Sequence, residues 1–223
     1  MKLILPLRNI SLNKYPKGNC YQFYGENPQL YWRFGFPGGH NGIDLVTKEN
    51  DPIYSVCNGY VYKVDYGETS FGKGVWVLSE PYQGDDGKLR SLLIVYFHLN
   101  QIYVQNGQKI ATGDVIGLEG NTGFVISGNT PFWGNAPAGK GVHIHYGIYP
   151  LIRGTNPDGS AYKVETYSFI KEIEDNGRNG AADPFDYFDE GITIKAEMEK
   201  QIGLLTKLVE LFKKLILLLK QQK

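Results

Sequence analysis

The sequence predicts a mostly β protein: a compact antiparallel β-sheet or sandwich domain over residues 1–191, followed by an amphipathic α-helix over residues 192–223. Three observations carry this reading. Before residue 190, β-branched and aromatic clusters alternate with Gly, Asn, Asp and Pro, and the 28 glycines, 16 tyrosines and 11 phenylalanines suit a turn-rich sheet. That stretch shows neither helical periodicity nor a strand–helix rhythm, which argues against a parallel α/β sheet. After residue 190 glycine nearly vanishes and Leu, Lys and Glu take over.

The strand candidates, in order, are 53–64, 74–78, 92–97, 109–118 and 142–149, each rich in Val, Ile, Tyr or Phe. Gly84-Asp85-Asp86-Gly87 reads as a hairpin tip, and Asn106-Gly107 and Thr112-Gly113-Asp114 as tight turns. Residues 121–140 read as one long loop dense in Gly, Asn and Pro, a length usually associated with function. Asp183-Pro184-Phe185-Asp186-Tyr187 is expected to close the β domain. In the tail, Met198, Ile202, Leu205, Val209, Phe212, Ile216 and Leu219 follow a 4-3 spacing. A second leucine row beside it widens the apolar arc to roughly 160°. That arc suits packing on the β domain, a higher-order coiled-coil homo-oligomer or a helix in a membrane interface. The oligomer is preferred because the repeat persists for about three heptads.

Lys+Arg and Asp+Glu both number 23. That balance argues against a nucleic-acid partner, which needs a basic surplus. Two cysteines, Cys20 and Cys57, can make one bridge or none and cannot build a disulfide framework. The opening Met1-Lys2-Leu3-Ile4-Leu5-Pro6 is too short to read as a secretory signal, and no apolar run reaches membrane-spanning length.

The chemistry concentrates on four histidines, His40, His98, His143 and His145. In an extended strand His40 and Asp44 share a face, with Gly42 between them offering no side chain to block an ion. An imidazole and a carboxylate so placed suit a borderline metal such as zinc. Taken alone, a surface turn is the preferred reading. His143 and His145 also share a strand face, while Val142, Ile144 and Tyr146 take the other. Two solvated histidines on an outer face explain that pair equally well. His98 closes the apolar run Leu92-Leu93-Ile94-Val95-Tyr96-Phe97 and by itself reads as structural. The joint pattern, H-x3-D, then a strand-end histidine, then H-x-H with no histidine left over, is much more specific than its parts.

That pattern resembles the zinc metalloendopeptidases of the lysostaphin type, the LytM or M23 peptidase family. The likeness rests on His40-x3-Asp44, Tyr96-Phe97-His98-Leu99 and His143-Ile144-His145-Tyr146-Gly147, joined by a turn-strand-turn stretch from Asn106-Gly107 to Gly120-Asn121-Thr122-Gly123. The resemblance covers roughly residues 20–150. It implies a lysostaphin-like β fold (a duplicated hybrid motif) with a groove across one sheet. It also implies one Zn2+ held by His40, Asp44 and His145, with His98 and His143 as catalytic histidines. The implied partners are peptidoglycan peptides, cut in their stems or cross-bridges at the bacterial wall.

The residues are consistent with that chemistry. Three protein ligands leave a fourth position for water, as in catalytic zinc sites. The chain has no H-E-x-x-H, so His98 and His143 are the candidates for base and oxyanion partner, with the division between them open. Departures from the family are the long connection from Asn121 to His143 carrying Phe132 and Trp133, the lack of a recognisable export signal, and a leucine-rich helix where a wall-targeting domain is common. Release by a phage or a non-classical route would meet the second. A silent wall-binding or hydrolase-activating protein, or a virion-associated wall-opening protein, are the alternatives. Trp32, Phe34 and Phe36 could line a peptide groove, although aromatic residues in β domains are mostly core.

Overall fold

The computed structural model describes residues 1–67, 69–154, 161–164 and 167–189. The tail helix expected over 192–223 lies outside the described residues. Fifteen strands occur among those described, and every ladder between them is antiparallel. The mostly β expectation therefore holds. The only α-helix is one turn, α1 (Pro28–Tyr31), among the described residues. No helix among them is long and apolar enough to cross a membrane.

The large sheet has the spatial order β1 (Cys20–Gln22), β2 (Ile43–Leu45), β13 (Ile144–Arg153), β7 (Leu89–Leu99), β5 (Lys73–Ser79), β4 (Gly59–Tyr66) and β9 (Lys109–Ile110). The short β6 (Tyr82–Gln83) pairs with β7, while β15 (Tyr167–Lys171) pairs with β13 and carries β14 (Tyr162–Val164). A small sheet joins β3 (Pro52–Tyr54), β10 (Val115–Leu118) and β8 (Gln101–Ile102), and a hairpin joins β11 (Val125–Ser127) to β12 (Thr130–Phe132).

Two expected strands break where the chain changes sheets. The stretch 53–64 becomes β3 and β4, separated at Ser55, whose N–H donates to the Asp114 carbonyl and whose carbonyl accepts from the Gly113 N–H. The stretch 109–118 becomes β9 and β10, separated by a turn in which the Ala111 N–H donates to Asp114 Oδ2 at 2.8 Å. The turn chemistry of Thr112-Gly113-Asp114 outweighs the β propensity on either side. The long loop over 121–140 contains the β11–β12 hairpin.

The central strand β7 is apolar on both faces because both are covered. Leu92, Ile94 and Tyr96 join one core with Ile43, Leu45, Ile144, Tyr146 and Ile148. Leu93, Val95 and Phe97 join a second with Tyr149, Leu151 and Phe169. The opening apolar run is core as well. Leu3 and Leu7 are buried, and the Leu3 N–H donates to the Tyr187 carbonyl at 2.8 Å. The segment around Asp183 thus closes the β domain against the N-terminus. Both cysteines are buried free thiols, pushed up to about 12 by burial.

Candidate metal centre and groove

Asp44 lies in the middle of β2 and His145 near the start of β13, and the two are ladder partners. The pairing places both side chains on one face. His40 arrives differently from the sequence expectation. It precedes β2 in a loop rather than sharing an extended strand with Asp44. Its N–H donates to the Glu26 carbonyl, and its carbonyl accepts from the Gly25 N–H, which turns its ring back over the sheet. Gly42 makes room for protein atoms rather than directly for an ion: a Cβ there would lie 2.5 Å from the Tyr146 carbonyl oxygen and 2.9 Å from two His145 ring atoms.

Three donor atoms meet as a result. His40 Nε2 is 2.8 Å from His145 Nδ1 and 3.1 Å from Asp44 Oδ1, and His145 Nδ1 is 3.2 Å from that same oxygen. Two bonds of about 2.0–2.1 Å at a tetrahedral angle put zinc ligands about 3.3 Å apart, so this triangle fits such an ion. The three residues form a group able to hold a metal, all of it buried. Around them, burial alone would raise the Asp44 carboxyl, but the neighbouring His40 and His143 outweigh it and hold the group well below the usual carboxylate range. Burial also pushes His145 down. The acid is thus kept ionised and the imidazole neutral, the forms that bind metal.

Backbone carbonyls fix the imidazole orientations. His40 Nδ1 faces the Phe23 carbonyl at 3.3 Å, which leaves Nε2 toward the donor triangle. His98 Nδ1 contacts the Thr122 carbonyl and His143 Nδ1 the Gly141 carbonyl, both at 2.8 Å. With these nitrogens protonated, Nε2 is left as the free basic atom on each ring. The two rings sit 4.6 Å apart between centroids, and His143 Nε2 is 3.9 Å from Asp44 Oδ2. His98 also has a left-handed backbone, with φ of 65°, an uncommon state for a non-glycine residue and one that collects at functional sites. All five residues singled out in the sequence therefore converge.

Asp44, His98, His143 and His145 line one cavity of about 240 Å³. Its other walls include residues the sequence reading did not assign to the site, namely Gln22, Tyr31, Phe71 and Phe124, each placed by tertiary packing and without a local motif. Phe34 and Phe36 line it too, so the core expectation for them is corrected. Trp32 is likewise not core, being 70% exposed. Phe124 packs between Phe34 and Trp133 in tilted contacts, with centroids 5.4 and 4.3 Å away, and the long 121–140 connection forms a wall of the cavity.

A sequence model of peptidase family M23 matches residues 38–157, more than half the chain and a span holding all five residues. The chain belongs to peptidase family M23. Among characterised proteins this M23 chain is similar to the peptidoglycan DD-endopeptidase ShyA of Vibrio cholerae, 30% identical over 138 residues, covering 60% of this chain and 25% of that protein. The glycyl-glycine endopeptidase ALE-1 of Staphylococcus capitis is 32% identical over 115 residues, 51% of this chain and 27% of that one. Endolysin 2638A of Staphylococcus phage 2638A is 32% identical over 175 residues, 75% of this chain and 31% of the endolysin. The matched stretch thus spans about a quarter to a third of these relatives. Among solved structures, lysostaphin of Staphylococcus simulans superposes with a TM-score of 0.45 at 16% identity, over 76% of this chain and 48% of that one.

In the M23 chain four consecutive residues tie the site together. Glu119 accepts from the Thr47 N–H at 3.0 Å and from the Thr47 hydroxyl, three residues beyond Asp44. The Gly120 carbonyl accepts from the His143 N–H. Asn121 Nδ2 donates to the Pro137 and Lys140 carbonyls, each at 3.0 Å, anchoring the long connection. Thr122 positions His98. Burial raises the Glu119 carboxyl to about 7 despite the Thr47 bonds. Between the ordinary 4.5 and about 7 the native chain therefore binds more protons at this site than the unfolded chain, so this group's contribution to stability falls as pH rises through the window. Glu119→Gln removes that dependence. Its unfolding midpoint, measured against the parent by thermal melts, gains on the order of 6–12 °C between pH 4.5 and pH 8, from roughly 3 kcal/mol of linkage. A difference that stays constant with pH would contradict the assignment.

Proposed function

We propose that this M23 chain is a zinc-dependent endopeptidase that hydrolyses peptide bonds in bacterial peptidoglycan, within stem peptides or cross-bridges. The observation that carries the reading is the triangle of His40, Asp44 and His145 donor atoms with two further histidines beside it on one cavity wall. The relatives named for peptidoglycan and glycyl-glycine cleavage, and the phage endolysin, support the substrate and a site of action at the bacterial wall. The division into a peptidase domain over 1–191 and an assembly helix over 192–223 remains part of the proposal, the latter on its 4-3 apolar spacing.

Zinc, when bound, supplies a Lewis acid and brings the pKa of its water near 7. His40, Asp44 and His145 hold it. His98 and His143 serve through Nε2: one accepts the proton of the attacking water and passes it to the leaving amine, and the other donates to the developing oxyanion once its Nε2 also carries a proton. Phe71, Phe124 and Phe34 exclude solvent around the scissile amide, which strengthens each of these interactions.

The test uses the full chain. Elemental analysis is expected to find about one zinc per molecule, matching a three-ligand catalytic site. Incubation with purified peptidoglycan releases new amino termini, a chelator stops the release, and added zinc restores it. A zinc-loaded chain that leaves every cross-link intact would instead favour the silent wall-binding reading.

A further inference from the structure

Gln22 carries a polar atom that no described residue satisfies. Its Cα pairs with Asp44 across the β1–β2 ladder, so the two side chains leave the same face of the sheet. Only 8% of the residue is exposed, and it lines the same cavity as Asp44, His143 and His145. Oε1 accepts the Tyr31 hydroxyl at 3.2 Å, and the Tyr31 ring in turn lies 5.0 Å from the His40 ring. Nε2, shielded from solvent, has no acceptor among the described residues. A half-turn of the carboxamide gives Nε2 the tyrosine oxygen and moves the deficit to Oε1 without removing it. An apolar side chain of the same shape would avoid the cost of that buried orphan. The amide is therefore left for a partner from outside the described residues.

The cavity states the chemistry of that partner. Among the described lining residues there is no lysine or arginine, so away from the metal centre a carboxylate entering here would lose its hydration without meeting a side-chain cation. On the outer side of Gln22, Lys14 and Glu26 are already paired with each other at 2.5 Å. A neutral main-chain amide is different. It offers a carbonyl and an N–H side by side, and one of them matches the free half of Gln22 in either orientation.

We propose that Gln22 is a substrate-binding residue whose free amide half pairs with a main-chain amide of the peptide next to the scissile bond. This rests on the endopeptidase reading for the identity of the ligand as a peptide. The expected signature is a KM effect with little change in stability. Gln22→Met keeps the side-chain length and removes both polar atoms. It raises KM about 3- to 10-fold, the worth of one neutral hydrogen bond, with kcat within about two-fold. Its unfolding midpoint stays within a few degrees of the parent's, because the Nε2 orphan is gone while the Tyr31 hydroxyl loses its acceptor, and its zinc content is unchanged. Gln22→Glu keeps an acceptor for Tyr31 but replaces the donor, and raises KM at least as far.

Pentaglycine and a purified cross-linked muropeptide dimer serve as probes, with hydrolysis followed by amine release. Direct calorimetric titration is run in parallel on His98→Ala and His98→Ala/Gln22→Met. Weaker binding by the double variant in the same ratio supports the proposal. An unchanged KM and affinity in the Gln22→Met pair overturns it, as does a fall in kcat alone, which would reduce Gln22 to a support for Tyr31. Binding without hydrolysis by the parent chain defeats the endopeptidase reading only, and the titration then decides Gln22. Failure of both probes to bind the parent chain defeats both.

Discussion

Replacing His145 with alanine is expected to strip bound zinc from the chain and to slow peptide-bond hydrolysis by about a thousand-fold or more, with the sheet still folded. The loss follows from geometry. His145 Nδ1 is one corner of the donor triangle, within 3.2 Å of both other atoms, and no other described side chain belongs to the group. Without it, His40 and Asp44 remain as a two-ligand site, and the several kcal/mol of charge stabilisation a metal provides are forfeited. About 4 kcal/mol is already a thousand-fold in rate. The fold survives because the position of residue 145 is set by its backbone, paired with Asp44 on one side and Phe97 on the other. The side chain contributes a stacked contact with Phe97, centroids 5.5 Å apart, whose loss is a local cavity cost. Zinc content, amine release from purified peptidoglycan and near-ultraviolet circular dichroism measure the three parts separately. A variant that keeps zinc and wild-type turnover would mean that the ligand set is misassigned.

His98→Ala and His143→Ala form the second large expectation, and they separate chemistry from metal binding. Neither side chain belongs to the donor triangle, so zinc content stays near that of the parent. Turnover falls by about 10²- to 10⁴-fold in each, the usual worth of a positioned acid–base group. The variant with the steeper change in its acidic pH limb identifies the base. His98 adds a stability signature of its own. Burial, reinforced by the like charge of His143, pushes its imidazole down to about 3. Between about 3 and the ordinary 6.5 the unfolded chain therefore takes up a proton that the folded chain refuses. Stability from this group is present above 6.5 and drains away as pH falls toward 3. Thermal melts at pH 7 and pH 4.5 should show a smaller acid loss in His98→Ala than in the parent. Equal losses, or zinc release by either alanine variant, would count against these roles.

Much of this chemistry was legible because the motif is local. H-x3-D and H-x-H place their members within a few residues, where strand geometry limits which side chains share a face. The H-x-H reading carried through in part: Ile144 and Tyr146 are in the core and His145 lines the cavity, but His143 precedes β13 and is held by an isolated bridge to Gly120, and Val142 is outside the core. His40 reached the predicted partner by another route, a loop held by Glu26 and Gly25, which the 40–44 spacing does not encode. Strand limits failed at Ser55 and Asp114, where a propensity for extended backbone is the same on either side of a change of sheet. Gln22, Tyr31 and Glu119 carried no signal at all. They are ordinary residue types whose meaning lies in what packs beside them.

The sequence by itself determined the β class, the five residues that converge on one site and their family. Only the tertiary structure decided that His145 lies 2.8 Å from a residue 105 positions earlier, that Phe34 and Phe36 face a cavity, and that Gln22 stands opposite Asp44. The reason is physical. Spacing along a strand follows from backbone geometry, whereas register between strands distant in the chain is set by packing both faces of the sheet at once, and a slip of one residue in β13 would turn His145 away from Asp44.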